Sequence, residues 1–524
     1  MKKIYSTKST LLTGTLFLTL AGILTRIIGF FYRIFLSRTI GAEGLGIYQL
    51  IAPVTAICFA FTAAGIQTSI SKFVSMEVGR KNDAGAKTYL SIGLFISLCL
   101  STLCSFFLYH YADFIAVSWL GDKRCTPLLA VLSFSFIPCC IHACINGYYY
   151  GLKKTAVPSL CQLTEQFARV GSVYLMYQIA VSEGKSLTLS MVVWGIVCGE
   201  AASTLVSVSV FRISDGNRRT PGKSRKNLYT CTKNLLSMAV PLTSNRIVLN
   251  LFAGFENVML PNRLLAFGYT QSEALSVYGI LTGMAMSVIM FPSVITNSVS
   301  VLLLPTISEA QAAGKRNKIL YTIKKTIESC LLLGFLSTAG FLVTGNFLGN
   351  FLFNNALAGT FIATLGWLCP FLYLSSTLSS ILHGLGHPGI TFELNLVSCT
   401  IRILFVLLAV PVWGIRSYLW GILVSQAVTA LLSIFILLRK TAGYTFGRNN
   451  IKTKITAQSG KPCGIFVKPY VGLTAVFFNT SCCIPVIFSL PPGLSISEPG
   501  SVLSHTGLRV WTDSFWKRSL FRAA

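Results

Sequence analysis

Charge is what this chain has least of. Of its 524 residues only 11% are charged, and just 16 of those are acids, against 43 Lys and Arg. Soluble domains keep about a quarter of their residues charged, so a soluble multidomain enzyme is excluded. Enzyme motifs are missing too: there is no GxGxxG after a strand, no phosphate-binding loop, no HExxH and no nucleophile elbow. The 16 cysteines form no disulfide framework. Cys58, Cys99, Cys104, Cys198, Cys330, Cys369 and Cys399 lie inside apolar runs, where a thiol serves as a small hydrophobe. The densest group, Cys139-Cys140-Ile141-His142-Ala143-Cys144, matches no common zinc spacing and reads as packing. His383 and His387, with no carboxylate or thiol beside them, read as turn residues. No metal or cofactor is expected.

What the chain has instead is apolar runs of about 20 residues, the length an α-helix needs to cross a bilayer core. Twelve spans are expected, at 10–36, 47–70, 88–110, 127–149, 157–180, 187–211, 235–257, 277–304, 327–347, 360–382, 389–411 and 417–438. A thirteenth candidate, 470–490, is weakened by Asn479, Thr480, Ser481 and Pro485. The stretch 491–507 reads as disordered. The first run is too long for the core of a cleavable signal peptide. With the N-terminus inside, the cytoplasmic segments hold 26 Lys and Arg and the outer loops 6. That bias predicts a cytoplasmic N-terminus. The basic run 217–226 then reads as a cytoplasmic loop, with no nucleic acid as partner.

The two halves of the chain look alike. AEGLGIYQL (42–50) and SEALSVYGI (272–280) match at Glu43, Leu45, Tyr48 and Glu273, Leu275, Tyr278, and GRKN (79–82) is echoed by GKRN (314–317). Six spans on each side of a basic loop make these parallel repeats. The expected fold is an all-α polytopic membrane protein of two six-helix lobes. Its parts are an N-terminal lobe at 1–211, a linker at 212–234, a C-terminal lobe at 235–438 and a basic tail at 439–524.

Ionisable residues inside spans are functional candidates by default, because burying a charge there costs about 2.5–3.5 kcal/mol even on lenient scales. Arg26 and Arg33 are seven residues apart in the first span, on one helical face. Gln162, Glu165, Gln166 and Arg169 form one stripe in the fifth. Asn245 and Glu256 share a face in the seventh, with Arg246 adjacent, and Asn395 and Arg402 share one in the eleventh. Glu165–Arg169 is a self-sufficient pair, and Glu200 and Glu393, nearer the ends of their spans, are expected to snorkel to the interface. Arg26, Arg33 and Arg402 have too few acids nearby to neutralise them. Guanidinium groups suit bidentate phosphate recognition, so a diphosphate-bearing cargo is physically sensible.

These residues resemble the stage V sporulation protein B group of polysaccharide-transport membrane proteins. That group shares a superfamily with the lipid II flippases and the multidrug-and-toxin extrusion antiporters. The resemblance runs from about residue 10 to about 446. It is carried by TRIIGF and GAEGLGIYQL (25–50), NGYYYGLKKTAVPSLCQLTEQFARV (146–170), AVPLTSNR (239–246), YGILTGMAMSVIMFPSVITNSVSVLLLPTISEA (278–310) and ILHGLGHP (381–388). It implies a V-shaped bundle of two six-helix lobes that moves an undecaprenyl-diphosphate-linked saccharide between leaflets of the cell membrane, in cell-wall or spore-cortex synthesis. It also implies that Arg26 and Gly29 match a first-helix arginine pattern lining a cationic cavity. The family's second arginine falls at Tyr32, with Arg33 one residue late, and its eighth-helix arginine has no counterpart. The tail after about 446 departs from the family's last two helices, as a truncated or frame-shifted end would.

The implied partners are a lipid-linked saccharide and membrane lipids, with a coupling cation left open. Two rivals remain: a cation-coupled multidrug antiporter, in which acids are essential, and a non-transporting scaffold for envelope assembly.

Overall fold

The computed structural model describes residues 2–80, 82–215, 228–312 and 314–455. Residues Met1–Arg448 form one compact unit and Asn449–Ala524 a second; the first is described here. The span expected at 470–490 and the basic run 217–226 lie outside the described residues.

Among the described residues there are helices and turns but no strand. Apolar runs this long leave the backbone no water to bond, and a helix satisfies every peptide group within its own segment. The first half holds α1 (Lys2–Thr39), α2 (Gly41–Gly79), α3 (Asp83–His110), α4 (Lys123–Ser133 and Phe136–Gly151), α5 (Ala156–Ser182) and α6 (Leu189–Asp215). The second holds α7 (Leu228–Phe267), α8 (Gln271–Ile289 and Ser293–Ala312), α9 (Arg316–Phe353), α10 (Ala356–Gly384), α11 (Pro388–Trp413) and α12 (Ile415–Ile455).

Ten helices among the described residues are long and apolar enough to cross a membrane, or 11 if the bent α4 pair counts as one span. The expected count of twelve is not reached because of α5. That helix has 27 residues, but its polar stripe keeps it outside the apolar set. Two other expected spans are interrupted, both at proline. The α4 pair bends by 49° at Phe134-Ser135, because Pro138 lacks the N–H that would bond the Phe134 carbonyl. In α8 the ladder breaks before Ser293. Pro292 cannot serve the Val288 carbonyl, and Phe291 N–H takes it instead at 3.0 Å in a tighter turn.

The halves meet where the sequence repeats. The first turns of α2 pack on the first turns of α8, with Gly46 against the Leu275 carbonyl and Gly279 against the Ala42 carbonyl. A methyl group at either glycine would collide with backbone, and small residues at such crossings are what lets two membrane helices approach this closely. The repeated glutamates have diverged. Glu273 closes a capping box on Thr270 at the start of α8, whereas Glu43 pairs with Arg124.

The apolar cores show how the unit is joined. One large cluster draws on both halves, with Leu36, Leu45, Leu50 and Leu129 from the first and Tyr278, Leu281, Ile362 and Tyr373 from the second. It lies toward the end holding the turns that the charge bias assigns to the outside. Toward the other end, where the basic loops are, the core is split. Ile70, Val74, Tyr89, Tyr148 and Tyr149 form one cluster with Cys231 and Leu235 at the start of α7, and Ile307, Ile323, Leu378, Leu382 and Leu437 form another. The halves share one core at one end, and at the other they are joined through α7, whose Cys231 and Leu235 pack into the first-half cluster.

Candidate transport cleft

The polar stripe of α5 is the centre of a network in the first half. Glu165 pairs with Arg169, Arg169 lies 4.0 Å from Glu200, and Glu200 lies 2.7 Å from His142 Nε2. Asn146 Nδ2 reaches His142 Nδ1 at 3.4 Å. What permits this is the Gly195–Gly199 spacing on α6: Gly199 packs on the Glu165 carbonyl and Gly195 near the Arg169 carbonyl. Glu200 therefore does not snorkel, contrary to the sequence expectation. Close α5–α6 packing holds it inside, with its side chain 13% exposed. Glu393 is exposed, as expected.

Cys139, His142 and Glu200 have ligand-type atoms within 4.8 Å of one another. Glu200 is already bonded to His142 and faces Arg169, so the arrangement neutralises itself. Tyr32 Oη, where the family pattern has an arginine, is buried without a hydrogen-bond partner.

In the second half, Glu256 and Arg402 are brought together at 3.3 Å, and Tyr418 Oη donates to the other Glu256 oxygen at 2.8 Å. Glu256 is 3% exposed. The sequence offers Arg402 no acid nearby; the fold supplies one from α7, far away along the chain. Tyr418 carries no signal that sequence reasoning could use, since its role depends on where α12 docks.

Arg33 and Arg26 are not equivalent. Arg33 Nη1 donates to Ser287 Oγ on α8 at 2.8 Å, and Phe30 meets Phe291 with ring centroids 5.0 Å apart. Positions 26, 30 and 33 lie on one face of α1 at i, i+4 and i+7. Two of the three touch the second half. The third, Arg26, is exposed and has no hydrogen bond or ion pair among the described residues. It stands on the same face, one turn beyond Phe30. On α7, Asn250 Nδ2 donates to the Ala56 carbonyl at 2.9 Å, and Thr243 packs on Gly65. Arg246 shares their face, is exposed and is likewise unpaired among the described residues, while Asn245 is exposed on the Glu256 face.

The sealed end is polar at its rim. Arg124 bridges Glu43 and Asp122, each at 2.7 Å. Arg38 donates to the Phe351 and Leu352 carbonyls at the end of α9, at 2.6 and 2.9 Å. Gln271 reaches the Gly121 carbonyl at 3.4 Å. The Arg38 and Gln271 contacts join the two halves at this end, whereas the Arg124 bridge lies within the first half. Arg26 on α1 and Arg246 on α7 are exposed guanidinium groups without a partner among the described residues.

Known proteins match this chain over most of its length. It is 29% identical to stage V sporulation protein B of Bacillus subtilis across 81% of this chain and 83% of the relative. It is 22% identical to lipid II flippase MurJ of the same organism across 84% of each. Among solved structures, an inward-facing multidrug-resistance MATE family transporter superposes with a TM-score of 0.64 at 14% identity, covering 83% of this chain and 96% of that one. A MOP superfamily transporter from Pyrococcus furiosus gives 0.61 at 13% identity, with 83% and 96% covered. These solved structures share the fold of this chain, that of a multi-pass membrane protein. Residues 11–311, more than half of the chain, match the family described as polysaccharide biosynthesis protein, and the chain belongs to that family.

Proposed function

We propose that the protein carries an undecaprenyl-diphosphate-linked saccharide from the inner to the outer leaflet of the cell membrane by alternating access, in cell-wall or spore-cortex synthesis. The excess of Lys and Arg, 26 against 6, favours the N-terminus and the split-core end in the cytoplasm. The end at which the halves share one core is then the outer end. The halves rock about the α2–α8 crossing, and the Arg38 and Gln271 contacts break when the outer end opens.

The observation that carries this reading is the isolation of Arg26. Glu165 occupies Arg169 and Glu256 occupies Arg402. The positive charge left over on the facing helices is that of Arg26 and Arg246, with Arg33 held on a neutral hydroxyl and Arg263 unpaired among the described residues near the far end of α7. A diphosphate entering the cleft exchanges water for these fixed donors, which lowers the cost of passing a charged head group through hydrocarbon. The saccharide needs no tight site, since the diphosphate is common to such cargoes.

The test is to identify the lipids that copurify with the full chain by mass spectrometry. The expected result is a polyprenyl-diphosphate saccharide that is retained by the wild type and lost in Arg26→Ala. Phospholipids alone in both preparations would contradict it.

A further inference from the structure

The repeated loops GRKN (79–82) and GKRN (314–317) take no part in the cleft, and they are chemically unequal. The first brings its own anion. Glu77 is buried, accepts from Asn82 Nδ2 at 2.7 Å and lies 3.4 Å from Arg80 Nη1. Counting back the same distance from the second motif gives Ala312 in place of Glu77. The basic groups there have lost their counter-charge.

Three of them converge. Arg316 at the start of α9, His387 in the turn between α10 and α11, and Lys440 on α12 line one cavity of about 40 Å³ with Ile319 and Leu385. None of the three has a hydrogen bond through its side chain or an ion pair among the described residues, and Arg316 Nε is buried without a partner. Burial, and then the Lys440 ammonium, hold the His387 pKa below its usual value. That is how a basic site behaves when it lacks an anion.

The volume holds on the order of three water-sized atoms, the oxygens of one phosphate. The walls are apolar, made of Ile319, Leu385 and the methylene stems of Arg316 and Lys440. A phosphate on a hydrophobic body fits better than a free ion. The cavity also lies at the basic-loop end, where helices leave the apolar layer and basic pockets between membrane helices take anionic head groups.

We propose that this cavity binds the phosphate head of an anionic phospholipid of the surrounding leaflet, held by Arg316 and Lys440 with its glycerol region against Ile319 and Leu385.

The experiment reconstitutes the full chain in phosphatidylcholine nanodiscs doped with phosphatidylglycerol and measures retained phosphatidylglycerol by native mass spectrometry. The variants are Arg316→Gln with Lys440→Gln, and Ala312→Glu, which returns the missing acid without removing any side chain of the cavity. A control, Lys324→Gln with Lys325→Gln, removes equal charge from exposed positions on α9. Both test variants are expected to lower retention by about tenfold or more, with the control unchanged. Equal loss in the control would mean diffuse attraction and overturn the site. So would unchanged retention in both test variants, or displacement of the lipid by millimolar inorganic phosphate.

Discussion

Arg33 donates a hydrogen bond of 2.8 Å to the hydroxyl of Ser287, which in turn donates to the Gly283 carbonyl at 2.6 Å. The first helix is tied to the eighth by an arginine whose partner is neutral. Two turns back on the same face, Arg26 has no partner among the described residues. On one face of α1 an arginine tied to the second half is followed, two turns away, by one that is free to take an anion.

The buried ion pair of the second half should matter for stability rather than for cargo. Replacing Arg402 by Ala leaves Glu256 buried with only Tyr418 to satisfy it. Breaking such a pair from one side costs about 3–5 kcal/mol. Thermal unfolding of purified protein should show a clear fall for Arg402→Ala. The double variant Arg402→Leu with Glu256→Leu should recover much of it.

The α2–α8 crossing makes a contrast between two glycines. Gly46→Ala places a methyl group on the Leu275 carbonyl, so the helices must separate or the variant fails to accumulate. A methyl group added at Gly22 on α1 would meet nothing within 4 Å. There Gly22→Ala should be neutral or stabilising by up to about 1 kcal/mol, from helix propensity alone. Folded yield and unfolding temperature check both.

Arg124 is partly exposed, and its bridge to Glu43 is worth no more than about 1 kcal/mol as a stabilising contact. Its other partner, Asp122, is buried at 5% side-chain exposure, so removing Arg124 uncovers a buried carboxylate within the first half. Cys125, next to it, is fully buried. In Arg124→Ala, labelling of Cys125 by a membrane-impermeant maleimide, read by peptide mass spectrometry, should rise and the unfolding temperature should fall, because Asp122 loses the guanidinium that pairs with it.

Much of this is legible in the residues. The long apolar runs and the charge bias between loops require nothing beyond local composition, and AEGLGIYQL and SEALSVYGI announce the repeat. That the two copies pack on each other at Gly46 and Gly279 is not legible, because parallel repeats leave their mutual contacts open. Distance in sequence hides the pairing of Glu256 with Arg402, and it hides Glu200, whose place depends on how closely Gly195 and Gly199 let α6 approach α5. The twelfth span is not confirmed at α5, because the polar stripe that makes this helix interesting also makes it less apolar. Arg26 stands out by pattern; its isolation emerges only once Arg33, Arg169 and Arg402 have each found something to bond.

The central claim is that Arg26 meets the anionic head of a lipid-linked cargo. The most direct measurement is the rate at which reconstituted protein flips a fluorescent polyprenyl-diphosphate saccharide in vesicles, for wild type, Arg26→Ala and Glu256→Gln, each corrected for folded protein. The predicted result is a loss of about tenfold or more for Arg26→Ala, as expected when a charged donor is removed from a diphosphate, with Glu256→Gln retaining most of its activity. Unchanged flipping in Arg26→Ala, with activity abolished in Glu256→Gln, would contradict the account and favour a cation-coupled antiporter.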